Sequence, residues 1–145
     1  MKARLNPYKI AMKTMEPMSA LSDYVDKCGL DYGLIELVKL RASQINGCAF
    51  CIDLHTTRLR EHGDTDKRMH LVSAWRESTL FSDRERAALE WTEVLTRLAD
   101  RHLPREALDR VRDQFDDDEV VKLTMTIVVI NGWNRIAVPF GYEHA

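Results

Sequence analysis

Two cysteines and a histidine in the segment CAFCIDLH have types and spacing that could do chemistry. Cys48 and Cys51 are separated by two residues, and His55 follows four residues after Cys51. If Cys48 begins a helix, the three side chains share one face. The positive end of the helix dipole favours a thiolate there, and His55 could accept the proton of Cys51. The segment therefore has the parts of a dithiol redox site: a nucleophile, a resolving thiol and a base.

Glu36 is the upstream residue that could orient this histidine. It stands in the apolar segment LIELVKL, so we expect a partly buried carboxylate that needs a partner, and Lys39 or Arg41 could also serve. Helices of roughly 15 Å and 13 Å separate Glu36 and His55 from the Asn46-Gly47 turn between them. An antiparallel helical hairpin would therefore bring the two side chains to the same height.

The same residues leave other interpretations open. Glu36, Cys48, Cys51 and His55 are four possible zinc ligands, although structural zinc sites usually draw a second Cys/His pair from a separate loop. The two cysteines could also be inert core residues. Cys28 has no histidine or acid at helical spacing, and we interpret it as a small buried residue at a helix end.

Helix-start and helix-stop residues punctuate the whole chain, and no convincing strand interrupts them. Pro17 is expected in the first turn of one helix, Ser82 at the start of another, and Asp117 or Asp118 at the start of the last. The predicted helices cover about 17–28, 31–45, 48–62, 65–75, 83–98, 104–115 and 119–136. The fold prediction is all-α: one helical domain over residues 1–145, with about seven helices and the CxxC segment at the N-terminus of a helix in an antiparallel hairpin.

The last of these helices is apolar nearly all round. Its segment TMTIVVI could pass for a strand, but it lies within a capped apolar stretch and has no other strand to pair with. A helix of this kind is expected at the centre of the fold, covered by the rest of the domain or by another subunit.

Length and composition are ordinary for a globular domain. The chain has 145 residues, of which 45% are hydrophobic and 30% charged, and its formal charge of −2 gives no reason to expect a nucleic-acid partner. Its N-terminus has no secretory pattern, and its most apolar segment is too short to span a membrane. We expect a cytoplasmic protein, in which thiols are mostly kept reduced.

The complete pattern resembles a known family. Glu36, eleven residues, Cys48-x-x-Cys51, three residues and His55 match the signature of alkylhydroperoxidase D (AhpD)-like proteins, within the carboxymuconolactone decarboxylase superfamily. The surrounding LRASQINGCAFCIDLHTTRLREHG and the C-terminal INGWNRIAVPF are also similar to that family. The resemblance implies an all-helical fold that assembles as a homo-oligomer, a trimer or a hexamer.

For chemistry, the resemblance implies thiol-dependent reduction of hydroperoxides. Cys51 would attack the peroxide, and Cys48, expected to be the more exposed cysteine, would resolve the product to a disulfide. His55 and Glu36 would form the proton relay. No bound cofactor or metal is expected. The partners would be a hydroperoxide substrate and an external thiol reductant: a lipoyl group, a thioredoxin-like protein or a peroxiredoxin.

One position departs from the family pattern. Members can carry a second histidine directly before the second cysteine, and here that residue is Phe50, which removes a possible proton donor. Two alternatives to a peroxidase are kept. One is a decarboxylase-like enzyme that uses Glu36 and His55, and the other is a non-catalytic metal-binding or structural oligomeric module.

Overall fold

The computed structural model describes residues 4–143, and every regular element in that range is helical. This confirms the all-α prediction. The elements are α1 (Pro7–Ile10), α2 (Met12–Asp26), α3 (Tyr32–Asn46), α4 (Ala49–Glu61), α5 (Asp66–Leu71), a 3-10 helix (Val72–Glu77), α6 (Asp83–Thr96), α7 (Ala107–Arg112) and α8 (Asp117–Phe140). The short helix α1 is an addition to the predicted set, and the helix predicted at about 65–75 is divided into α5 and the 3-10 helix.

Helices α3 and α4 form the predicted antiparallel hairpin. Asp31 caps α3 by accepting a hydrogen bond from the N–H of Leu34. Gly47 ends the helix in the left-handed conformation, with φ of 66°, which glycine adopts without steric cost. Cys48 then takes the N-cap position of α4, and His62 takes its C-cap position. The local sequence therefore determines both ends of the hairpin.

Helix α3, and not α8, is the helix buried on all sides. Ten consecutive residues of α3, from 34 to 43, are buried, because α4, α6 and α8 pack around it. Helix α8 contributes Leu123, Ile127 and Ile130 to the interior. It also exposes valines, among them Val121 at 62%. The rest of the domain therefore does not cover α8 on all sides, and the alternative, cover by another subunit, stays a prediction. The central position of α3 was not predicted, because its charged residues, which are paired inside the fold, disguised its burial.

A buried carboxylate on α6 shows how such charges are paired. Glu93 accepts hydrogen bonds from Arg41 Nε at 2.9 Å and from Trp75 Nε1 at 3.0 Å, and it also pairs with Arg76. The pKa of Glu93 lies below its usual value, because these donors outweigh the opposing effect of burial. Arg41, which the sequence offered as a possible partner of Glu36, is thus a partner of Glu93 on α6.

Three helix starts differ from the predicted ones. Helix α2 begins at Met12, so Pro17 lies inside it and not in its first turn. Helix α7 begins at Ala107, a turn after Pro104. The N-cap of α8 is Asp116, whose side chain accepts from the N–H of Glu119 at 2.8 Å, while the Glu119 carboxylate accepts from the N–H of Asp116 at 3.1 Å. This capping box satisfies two backbone donors that α8 cannot satisfy itself.

Replacing Asp116 with alanine should lower the free energy of unfolding by about 1 kcal/mol, because the first turn of α8 loses its cap. The measurement is chemical denaturation at neutral pH. Asp118→Ala is the matched control: it removes only an exposed pair with Lys122 and should cost less than about 0.5 kcal/mol. Equal losses in both variants would contradict the assignment of the cap to Asp116.

Candidate active site

The hairpin brings Glu36 and His55 into direct contact. His55 Nδ1 lies 2.6 Å from Glu36 Oε2, and Glu36 is 0% and His55 4% exposed. The contact joins α3 to α4 at the height that the residue count from the turn predicted. The catalytic roles of these two residues stay predictions.

The two cysteines are joined at the start of α4. The structure contains a Cys48–Cys51 disulfide, with 5.3 Å between the two Cα atoms. Cys48 Sγ also accepts a hydrogen bond from the N–H of Cys51 at 3.3 Å. Cys28 is a free cysteine that packs against the hydrophobic core just after the end of α2, as expected, although it is partly and not fully buried. The redox pair and the helix cap are therefore built from the same residues.

The expectation that Cys48 is the more exposed cysteine is wrong, because both cysteines are buried. Cys48 is 1% exposed and Cys51 3%. Cys48 is covered because it packs in a cluster with Ile130 and Ala137 of α8, a tertiary contact that helix spacing does not reveal. Cys51 is the cysteine that reaches a pocket. A small molecule would therefore meet Cys51 first.

A pocket of about 340 Å³ lies beside Cys51 and His55. Its wall combines apolar side chains with four charged ones. The lining residues are Tyr8, Ser22, Asp23, Asp26, Lys39, Phe50, Cys51, Leu54, His55, Arg58, Ile130, Trp133, Ala137 and Tyr142. The rings of Phe50 and Tyr142 meet edge to face at 5.4 Å. The Tyr142 hydroxyl is buried and has no hydrogen-bond partner in the part of the chain that the structure describes.

Electrostatics set the protonation of the Glu36–His55 pair. Burial alone would raise the pKa of the Glu36 carboxyl, but the hydrogen bond and charge of His55, with Lys39 and Arg58, hold it below its usual value. Burial lowers the pKa of His55, and the bond to Glu36 only partly opposes this. At neutral pH the pair is a carboxylate and a neutral imidazole. Since Nδ1–H donates to Glu36, Nε2 of His55 is left as a free base.

The second oxygen of Glu36 is surrounded by charge and not by hydrogen bonds. Among the described residues, no donor bonds to Oε1. Lys39 Nζ lies 3.6 Å and Arg58 Nη1 3.5 Å from it, and Lys39 also forms an ion pair with Asp26 of α2. Sequence reasoning considered Lys39 only as a simple ion-pair partner and missed Asp26 and Arg58. The spacing from His55 to Arg58, three residues on a helix, was the available signal for the latter.

Helix α8 holds the turn of the hairpin through asparagines. Asn46 Nδ2 donates to Asn131 Oδ1 at 3.0 Å and to Asn134 Oδ1 at 2.8 Å. Asn134 Nδ2 donates in turn to Ser43 Oγ at 3.1 Å. Trp133, on the same part of α8, donates from Nε1 to Ser22 Oγ at 3.0 Å and lines the pocket. The polar residues near the end of α8 therefore hold the turn of the hairpin, and Trp133 joins α8 to α2 beside the pocket.

Residues 4–143 contain no group of three or more histidine, cysteine, aspartate or glutamate side chains that could hold a metal ion. No helix in the same range is long and apolar enough to cross a membrane.

The fold and this site together define an AhpD-like protein: an all-helical domain whose central hairpin carries a CxxC pair beside a Glu–His pair. Comparison with protein families agrees. The model of the carboxymuconolactone decarboxylase family matches residues 12–94, which include the whole hairpin. The chain therefore belongs to the carboxymuconolactone decarboxylase family.

Two relatives match this chain over nearly its whole length. The chain is 39% identical over 145 residues to the uncharacterized protein YdfG of Bacillus subtilis, and the match spans 100% of this chain and 99% of that protein. A crystal structure from Agrobacterium tumefaciens, of a protein of unknown function described as a candidate antioxidant defence protein AhpD, is 42% identical. It superposes with a TM-score of 0.96 over 99% of both chains.

A more distant structure supports the fold alone. The alkylhydroperoxidase AhpD core of an uncharacterized peroxidase-related protein from Ralstonia eutropha matches with a TM-score of 0.84 at 18% identity. The match covers 95% of this chain and 74% of that one. Similarity at this level of identity establishes a shared architecture, and the chemistry has to be argued from the site.

Proposed function

We propose that this protein is a thiol-dependent peroxidase of the alkyl hydroperoxide reductase type, acting in antioxidant defence. The observation that carries the proposal is the shared pocket wall of Cys51 and His55, beside a Cys48–Cys51 disulfide. A disulfide across one helical turn is the product that such an enzyme would leave after each turnover. The buried Glu36–His55 pair supplies the base that the first step needs.

The proposed cycle starts from the reduced dithiol. His55 Nε2 takes the proton of Cys51, and the thiolate attacks one peroxide oxygen, so that the O–O bond breaks and an alkoxide leaves. The alkoxide takes up a proton to become an alcohol, and Cys51 becomes a sulfenic acid. The Cys48 thiolate then attacks the Cys51 sulfur, forms the disulfide and releases the second oxygen as water. One hydroperoxide and two thiols give one alcohol, one water and one disulfide.

The pocket favours an organic hydroperoxide as substrate. Phe50, Leu54, Ile130 and Trp133 give the wall near Cys51 an apolar surface, which would hold the organic group of an alkyl hydroperoxide. Hydrogen peroxide has no group to bury there. Phe50 therefore contributes apolar binding surface where members of the family can carry a proton donor.

An external dithiol would have to reopen the disulfide after each turnover. We propose a lipoyl group, a thioredoxin-like protein or a peroxiredoxin partner for this role, and no bound cofactor. The cytoplasm is the proposed location, because such reductants keep thiols reduced there. We also propose assembly into a homo-oligomer, a trimer or a hexamer, in which another subunit would cover the exposed valines of α8.

Thiol titration before and after one equivalent of an alkyl hydroperoxide tests this function. The reduced protein should lose two thiols per chain, and so should Cys28→Ser, because Cys28 stands apart from the pair. If peroxide consumes no thiols, the proposal is wrong. Lactone decarboxylation that survives replacement of both Cys48 and Cys51 by serine would favour the decarboxylase alternative. About one bound zinc per chain, with unfolding on chelation, would favour the metal-binding module.

A further inference from the structure

The two oxygens of Glu36 have different kinds of partner. Oε2 contacts His55 Nδ1 at 2.6 Å, the distance of a strong charge-assisted hydrogen bond. Oε1 is buried without a hydrogen bond from any described residue, although Lys39 Nζ and Arg58 Nη1 lie 3.6 Å and 3.5 Å away. Such an oxygen is costly to bury unless nearby charge stabilises it. The arrangement therefore depends on the cations.

Lys39 is the buried one of these two cations. It is 3% exposed, whereas the Arg58 side chain is 35% exposed and thus partly screened by water. Lys39 stands between two carboxylates on different helices, Glu36 on its own helix α3 and Asp26 at the end of α2. Both Lys39 and Asp26 line the pocket that holds Cys51. A lysine so completely buried needs a reason, since desolvating an ammonium group costs several kcal/mol.

We propose that Lys39, anchored by Asp26, is a positioning residue of this site. Its positive charge keeps Glu36 a carboxylate, which holds the proton of His55 on Nδ1, and the same charge disfavours a second proton on His55, so that Nε2 stays free. This role rests on the proposed function, because it matters when His55 has to accept a proton from Cys51. Lys39 touches neither the disulfide nor the reacting atoms in any contact of the structure. It acts through Glu36 and His55.

The charges around the pair give the direction of the effect. The Lys39 cation lowers the pKa of both Glu36 and His55, and Arg58 does the same from α4. Tyr32, on α3, is the remaining titratable neighbour coupled to Glu36, and its pKa is raised, chiefly by burial, so it stays neutral.

The helices around the pair add three further carboxylates. Asp26 of α2 binds Lys39, Asp23 of α2 lines the same pocket, and Glu93 of α6 binds Arg41 and Arg76. The pocket residues contributed by α8, such as Ile130 and Trp133, carry no charge. Without Lys39 the pair would hold a proton up to higher pH, so a smaller fraction of His55 would be neutral and able to act as a base near neutral pH.

The test is the pH profile of Lys39→Met. Peroxide reduction should fall about tenfold near pH 7, because part of the base contribution of His55 is lost, and should recover at higher pH. The acid limb of the profile thus moves to higher pH. Lys39→Arg, which keeps the charge, should restore the wild-type limb. Arg58→Met removes the more exposed cation and should give a smaller displacement in the same direction.

Asp26→Asn supplies a prediction of opposite sign. Without the negative charge of Asp26, the positive charge of Lys39 acts more strongly on Glu36 and His55. The acid limb of the pH–rate profile should therefore move to lower pH. A uniform loss of rate at every pH in Lys39→Met, or displacements of the same sign in Lys39→Met and Asp26→Asn, would overturn the proposal, because a purely structural role would act in that way.

A second measurement needs no peroxide and so separates this proposal from the proposed function. Nitrogen NMR of the His55 imidazole in wild-type protein should show a proton on Nδ1 and none on Nε2 at neutral pH. In Lys39→Met the imidazole should take up its second proton at higher pH than in wild type. Unchanged titration of His55 would refute the role of Lys39 even if the peroxidase activity is real. If His55 titrates at higher pH in Lys39→Met, as expected, but the wild-type protein reduces no peroxide, only the proposed function is refuted.

Discussion

Replacing Cys51 with serine should abolish peroxide reduction, with a loss of at least about 1000-fold, because the nucleophile of the first step is gone. Cys48→Ser should behave differently. It keeps the nucleophile on the pocket wall and should complete the first step once, then stop with Cys51 as a sulfenic acid that has no resolving thiol. The two variants therefore separate the roles proposed for the two cysteines, of which Cys51 lines the pocket.

Mass spectrometry after peroxide treatment and dimedone trapping distinguishes them. The dimedone adduct should form on Cys51 in Cys48→Ser, and no adduct should form on Cys48 in Cys51→Ser. Cys28→Ser is the matched control and should turn over like wild type, since Cys28 is a free cysteine outside the site. If Cys51→Ser is the variant that accumulates the adduct, the order of the two cysteines is the reverse of the proposed one.

Replacing Glu36 with glutamine is expected to lower peroxide turnover about 100-fold, which lies at the small end of what a positioned base contributes. The glutamine carbonyl can still accept the Nδ1–H of His55, so the ring can keep its orientation. A neutral amide cannot stabilise the imidazolium that forms when His55 takes the proton of Cys51. Initial rates with an alkyl hydroperoxide, measured with far-UV circular dichroism to verify the fold, give the effect.

Glu93→Gln is the matched control for a buried carboxylate. It disrupts the ion pairs with Arg41 and Arg76 on the other side of α3 and should lower the free energy of unfolding by roughly 3 kcal/mol. Below its melting temperature it should keep the wild-type rate. Equal rate losses in Glu36→Gln and Glu93→Gln would mean that Glu36 supports the fold and has no part in proton transfer.

The hairpin could be predicted because its signals are local. Asp31, Gly47 and Gly63 mark the ends of α3 and α4, and helical rise then fixes the heights of Glu36 and His55. The capping box of α6 was recognised in the same way, from Ser82 and its partner three residues later. Where a side chain caps the end of a helix by a hydrogen bond to its backbone, the helix boundary can be predicted from the sequence.

Other features depend on contacts or on weaker signals. No side chain caps α2 at Ala11, so nothing marked its start and Pro17 was placed too early in the helix. The pattern Asp-x-x-Glu at Asp116 did mark the start of α8, but the acids that follow it obscured the signal. The burial of Cys48 beneath α8 and the ion pair of Lys39 with Asp26 link residues far apart in the chain, and no local spacing rule predicts them.

The Sγ atom of Cys48 both caps α4 and forms the disulfide, so replacing this one atom can remove the disulfide without removing the cap. Serine is among the best N-cap residues, so its hydroxyl can take over the hydrogen bond that Cys48 Sγ accepts from Cys51. Exchanging sulfur for oxygen at this position thus preserves the first turn of α4 and removes the ability to form a disulfide. A relative of this protein with that one substitution would lose the proposed redox cycle and keep an intact fold.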